Sequence, residues 1–141
     1  VKLNTRRSGL LAVAVASGIA AVLLFPGGSA AGPLTVEVNI NHSAFSSTRY
    51  SFPAGTRVRF VITNRDPIDH EFIIGSPVVQ YYMEHTAHPS HDGSVPGQIS
   101  VPAGSTVETT YTVRRSSQPL LFGCHLPGHY RYGMRGTIAV T

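Results

Sequence analysis

Leu120-Leu121-Phe122-Gly123-Cys124-His125-Leu126-Pro127-Gly128-His129-Tyr130-Arg131-Tyr132-Gly133-Met134-Arg135-Gly136-Thr137-Ile138-Ala139-Val140 is the stretch on which the reading of this chain turns. Its two ends, Leu120 to Cys124 and Gly136 to Val140, are short apolar runs of strand character. Between them Pro127-Gly128 marks a turn. The order Cys-x4-His-x4-Met places a thiolate, an imidazole and a thioether in one loop. A strand ending at Cys124 and a loop closed by Pro-Gly can fold those three side chains around a single point.

Outward from that loop the same punctuation recurs. Thr35 to Ile40 alternates so that Val36, Val38 and Ile40 share one face, and Arg57 to Thr63 repeats the pattern with Val58, Phe60 and Ile62. His70 to Ile74, Ile99 to Val101 and Thr106 to Val113 complete the set, separated by clusters such as Asn64-Arg65-Asp66-Pro67. About seven short strands with Gly/Pro turns, and no helical period outside the N-terminal segment, predict an all-β sandwich or barrel. The exception is the stretch from 76 to 97, rich in Tyr, His and Pro, which reads as a long loop and is therefore a candidate for function.

The remaining sequence bounds the class. In a chain of 141 residues, 42% hydrophobic and 13% charged, one packed domain is expected rather than a disordered tail. The net charge of +4 is concentrated in Lys2, Arg6 and Arg7; from residue 32 onward eight arginines face seven carboxylates, with no basic run to track a nucleic acid. Those three basic residues precede the apolar stretch Ser8 to Phe25 and the small residues Ser29-Ala30-Ala31, which is the order of a signal peptide over 1-31. The expectation is an exported protein, periplasmic, extracellular or associated with the cell envelope, with the working domain at 32-141. The alternative is an uncleaved anchor, the one route by which a membrane would enter. Cys124 is the only cysteine, so neither an internal disulfide nor a four-cysteine zinc module can form.

Taken one at a time, a buried cysteine, a methionine in a core and a histidine in a loop are all ordinary. Together, soft sulfur with imidazole and a weak thioether is the donor set that suits copper in both oxidation states. A second imidazole is needed, and His70, opening a strand of its own, supplies it if the sandwich brings distant strand ends together. The ligand set is then His70, Cys124, His129 and Met134.

Residues 34 to 141 resemble the cupredoxins, the blue copper proteins, through Cys124-His125-Leu126-Pro127-Gly128-His129-Tyr130-Arg131-Tyr132-Gly133-Met134 and the upstream Asp69-His70-Glu71-Phe72. The resemblance, to the rusticyanin, plastocyanin and azurin branches, implies a Greek-key β-sandwich, a type 1 copper and one-electron transfer. It makes His70, Cys124 and His129 equatorial ligands and Met134 the axial one, with His129 as the electron door. Cys124-His125 is also similar to the run that wires copper centres in multicopper oxidases, which puts His125 on an electron path. Two departures stand out: the histidine-bearing stretch from 76 to 97, which compact carriers do not generally show, and the residue after the first histidine. Members commonly carry Asn or Ser directly after the first histidine, where it ties the two ligand loops together; this chain has Glu71, so the hydrogen bonding around the copper is expected to differ.

Two functions of different kind follow. One is an exported electron carrier that meets redox protein partners through the rim of Leu126, Pro127, Tyr130 and Tyr132 around His129. The other is a copper-binding protein for tolerance, storage or delivery, in which Met83, His85, His88 and His91 bind a second, weaker copper. No nucleophile motif of a hydrolase is present, and an enzyme is not expected.

Overall fold

The structure, a computed structural model, describes residues 32–141. The signal-peptide reading of 1-31 and the anchor alternative fall outside the described residues. Among the described residues no helix is long and apolar enough to cross a membrane.

Strands β1 (Leu34–Asn41), β2 (Ala44–Phe45), β4 (Arg57–Asn64) and β7 (Thr106–Thr112) form a four-stranded sheet in the order β2-β1-β4-β7. Strands β3 (Arg49–Phe52), β5 (His70–Gly75), β6 (Gln98–Val101), β8 (Leu120–Gly123) and β9 (Arg135–Val140) form the second, in the order β3-β9-β8-β5-β6. Each sheet is mixed. β1 runs parallel to β4 with Val38 opposite Ile62, and β3 runs parallel to β9 with Tyr50 opposite Ile138; the other pairings are antiparallel.

The alternation in β4 is the pattern expected of a strand with one face in a core: Val58, Phe60, Ile62 and Asn64 are buried and the residues between them are less so. β5 is buried along its whole length, as a strand flanked on both sides by neighbours and covered on both faces must be. The two sheets meet through aromatic rings. Phe60 of β4 lies 5.2 Å from Phe72 of β5, and Phe45 of β2 lies 5.7 Å from Phe72 and 5.3 Å from Phe122 of β8. These are the offset and edge-on separations that aromatic pairs prefer.

The stretch from 76 to 97 differs from the expected loop, because it begins with a helix, α1 (Pro77–His85). Ser76 caps it, with Pro77 in the first turn, and Thr86 closes it by donating its N–H to the Tyr82 carbonyl. The only buried residue of the helix is Gln80, whose amide donates to the Ile73 carbonyl at 3.1 Å and the Leu121 carbonyl at 3.4 Å. A polar residue thus docks α1 on β5 and β8. Gly75 makes the approach feasible, since a Cβ there would stand 2.5 Å from the Val79 side chain.

Candidate metal centre

His70 opens β5 and Cys124 follows β8 directly, one residue beyond the strand end. Because β5 pairs with β8 antiparallel, Ile73 opposite Gly123, the start of one strand lies beside the end of the other. That register brings residues 54 positions apart to one end of the sandwich. Cys124 Sγ lies 3.9 Å from His70 Nδ1 and 3.2 Å from His129 Nδ1. Sulfur and nitrogen ligands at 120° around a first-row ion stand about 3.7 Å apart, given metal–ligand distances of about 2.3 and 2.0 Å, so the observed distances bracket the requirement.

The loop from 124 to 134 is held by its own backbone. Met134 N–H donates to the His129 carbonyl at 3.0 Å, and the Met134 carbonyl accepts from Cys124 N–H at 3.1 Å. His129 N–H reaches back to Leu126 at 3.0 Å. The Met134 side chain is buried in the same apolar cluster as Cys124. His129 is half-buried, and beside it Tyr132 is 90% exposed.

Neighbouring groups fix the donors. His70 Nε2 lies 2.9 Å from Asp66 Oδ2. A carboxylate there accepts the Nε2 proton and leaves the Nδ1 lone pair directed at Cys124, which is how carboxylates orient metal-binding imidazoles. Asp66 also accepts from His42 N–H at 2.7 Å and Ser43 N–H at 2.8 Å. Burial alone would raise its pKa, but the hydrogen bonds from Ser43, His42 and His70 outweigh it and hold the carboxyl below its usual value. Burial pushes the Cys124 thiol up to about 11, so a metal must displace its proton. Burial and the nearby His70 ring hold His129 below its ordinary value, which keeps its lone pair available near neutral pH.

Glu71 does the work expected of Asn or Ser in that position. Its N–H donates to Cys124 Sγ at 3.3 Å, and its Oε2 accepts the His125 N–H at 3.3 Å, so one residue ties both ligand segments. The His125 ring turns away from the thiolate toward α1: Nε2 meets Gln80 Oε1 at 2.7 Å and Nδ1 meets Glu84 Oε2 at 3.3 Å. Gln80 spends its amide hydrogens on carbonyls, so His125 Nε2 is the donor to its oxygen. Tyr130 stacks on the same ring, centroids 4.6 Å apart, in space that a Cβ on Gly123 would fill.

The four residues read from 83 to 91 are not brought together as one set. His85 is exposed, its ring stacked on Tyr81 at 4.1 Å with Nδ1 2.8 Å from the Tyr81 carbonyl. Met83 and His88 line a cavity of about 590 Å³ that reaches His70 and His125. His88 and His91 converge on Glu71. No sequence motif marks Asp66 or Gln80 as part of the site. Asp66 sits in what reads as a turn cluster, and its spacing of four before His70 was the available signal. Gln80 gave none beyond the Ser76-Pro77 helix start.

A β-sandwich that gathers a buried cysteine and two histidine Nδ1 atoms at one end, beside a buried methionine, defines a cupredoxin, and the donor set fits copper. The copper-resistant cuproprotein CopI of Rubrivivax gelatinosus is 30% identical over 118 residues, covering 82% of this chain and 71% of that protein. The chain belongs to the CopI family. Among solved structures, auracyanin B superposes with a TM-score of 0.62 at 28% identity, over 77% of this chain and 88% of its own. Auracyanin A, a "blue" copper protein from the green thermophilic photosynthetic bacterium Chloroflexus aurantiacus, gives 0.60 at 25% identity, over 78% and 100%. No protein-family model matches the chain.

Proposed function

We propose that this cupredoxin is an exported copper-handling protein that contributes to copper tolerance, taking the ion as cargo at His70, Cys124, His129 and Met134. The observation that carries the reading is the cavity of about 590 Å³ lined by His70 together with Met83 and His88, which places thioether and imidazole donors beside one of the proposed ligands. The copper-resistant name of its relatives supports it. The chain's own residues bind and orient: Asp66 sets the His70 tautomer, Glu71 holds the two ligand segments together, and the buried core excludes water from Cys124.

The second reading is a single-electron carrier. Bound copper supplies a one-electron couple, and the half-buried His129 beside Pro127 and the exposed Tyr132 offers a small docking rim for a redox protein. In neither reading does the protein catalyse a reaction.

Expression with an export leader in a copper-sensitive bacterial host separates the readings. Tolerance predicts growth at higher copper with the wild type and not with Cys124→Ser, and transfer of Cu(I) from the purified protein to a competing chelator. Equal growth for both, with copper retained through repeated oxidation and reduction, would favour the carrier.

A further inference from the structure

Glu71 faces two ways. While Oε2 holds the His125 amide, Oε1 lies 3.8 Å from His88 Nδ1 and 4.0 Å from His91 Nε2. These separations are too long for hydrogen bonds. The donor atoms of the three residues all lie within 4.8 Å of one another, and the two imidazole rings are 5.1 Å apart. His91 Nε2 is buried and has no hydrogen-bond partner among the described residues, an uncommon state that an ion would satisfy. His88 Nδ1 has one further neighbour, the Pro89 carbonyl at 3.4 Å.

The arrangement is held by the sheet. Ser100 of β6 stands opposite Glu71 of β5, its hydroxyl accepts His91 N–H at 2.8 Å, and its own N–H donates to the His91 carbonyl at 2.9 Å. Glu71 and His91 are thereby fixed to two paired strands, and Pro89 restricts the backbone of His88. Ligands about 2.0–2.2 Å from an ion stand roughly 3.3–3.6 Å apart at tetrahedral angles. Closing each of the two Glu71 contacts by about half an ångström would bring the carboxylate oxygen to that spacing from both imidazoles.

We propose that Glu71, His88 and His91 form a second metal site that takes a divalent first-row transition ion, Cu(II) most tightly, with its remaining positions open to the cavity. Two imidazoles and a carboxylate without thiolate suit Cu(II) or Zn(II) better than Cu(I), and the order of affinities among divalent ions puts copper first. The open positions follow from the cavity that Glu71 and His88 line, wide enough for water or an incoming ligand. The site goes beyond the tolerance reading and stands independently of it, because its ligands are separate from the thiolate set.

The full-length protein is loaded with Cu(II) and freed of loose metal by buffer exchange, then read by elemental analysis, visible absorption and electron paramagnetic resonance. Wild type is expected to keep two ions, one giving the thiolate band and one seen only by its resonance signal. His88→Ala combined with His91→Ala is expected to keep one ion with the visible band unchanged. Glu71→Gln should weaken the second ion at least about tenfold, and His85→Ala should keep both. Should the double variant fail to fold, His88→Ala alone is expected to lose the second ion. One ion in the wild type, or two in the double variant, overturns the proposal. A missing visible band with the colourless ion still bound, and still removed by the double variant, would overturn the thiolate centre and support this site.

Discussion

The Asp66 carboxylate accepts three hydrogen bonds that join separate parts of the chain: two from the backbone of His42 and Ser43, one from the His70 ring. Asp66→Asn replaces one accepting oxygen by a donating amide, which must then face an N–H. A buried group left unpaired in this way costs about 1–3 kcal/mol, and loss of the His70 orientation should lower copper affinity about 10- to 100-fold. The pH dependence follows from the lowered carboxyl. Its contribution to stability is fully present above the unfolded value of about 3.9 and is lost as pH falls through the lower folded value. Melting curves between about pH 6 and 2 should show that acid loss in the wild type and a flatter profile in Asp66→Asn. The grouping of His70, Cys124 and His129 was legible because donor chemistry is written in residue type and spacing. Asp66 was not, because only the fold shows which turn carboxylate lies against which ring. At Cys124 and Met134 the expectation is sharper still. Cys124→Ser should abolish the visible band of the Cu(II) protein, whereas Met134→Leu should keep it and raise the reduction potential. A colourless wild-type complex would contradict both.

Among the elements, the strands whose apolar residues alternate were read to within a residue or two, and the short ones were not. β2 is two residues long and β3 four, too little for a period to show. The turn before β2 hides as well. His42 and Ser43 both have φ of 52°, the left-handed pair of a tight hairpin that Asn-Gly usually announces. Asp66 accepts both of their N–H groups, which offsets the strain. Ser43→Gly should therefore stabilise the domain by about 1 kcal/mol, read as a rise in denaturation midpoint without a change in slope. A lower midpoint would show that the Ser43 side chain matters more than its backbone. Helix α1 escaped for a different reason: it presents no apolar stripe, because its one buried residue is Gln80. Gln80→Leu should cost about 1–3 kcal/mol by stranding the Ile73 and Leu121 carbonyls and His125 Nε2. A variant as stable as wild type would mean that the helix docks by shape alone.

At the scale of the molecule, the grouping of the candidate ligands depends on pairings between distant segments. His70 meets Cys124 because β5 pairs with β8, and β8 is in turn held by β9. Asp66 links that end of the second sheet to the β1–β2 turn of the first. Beneath the site, Phe45, Phe60, Phe72 and Phe122 fill the space between the sheets, in the cluster that also buries Cys124 and Met134. A core and a register of this kind do not need an ion to form, so the metal-free protein should be folded and should unfold in one cooperative step. Copper then binds the folded state alone and stabilises it by mass action. Free copper at about one hundred times the dissociation constant adds about 2.7 kcal/mol, which for a domain of this size raises the melting temperature by on the order of 10 °C. The wild-type rise should exceed that of Cys124→Ser at the same copper concentration, since the thiolate is the ligand that a folded pocket supplies and a serine cannot replace. Circular dichroism and calorimetry of both proteins, with and without copper, measure this directly. A metal-free protein with no cooperative transition would show that the ion organises the sandwich, and the pocket would then be a product of binding instead of its precondition.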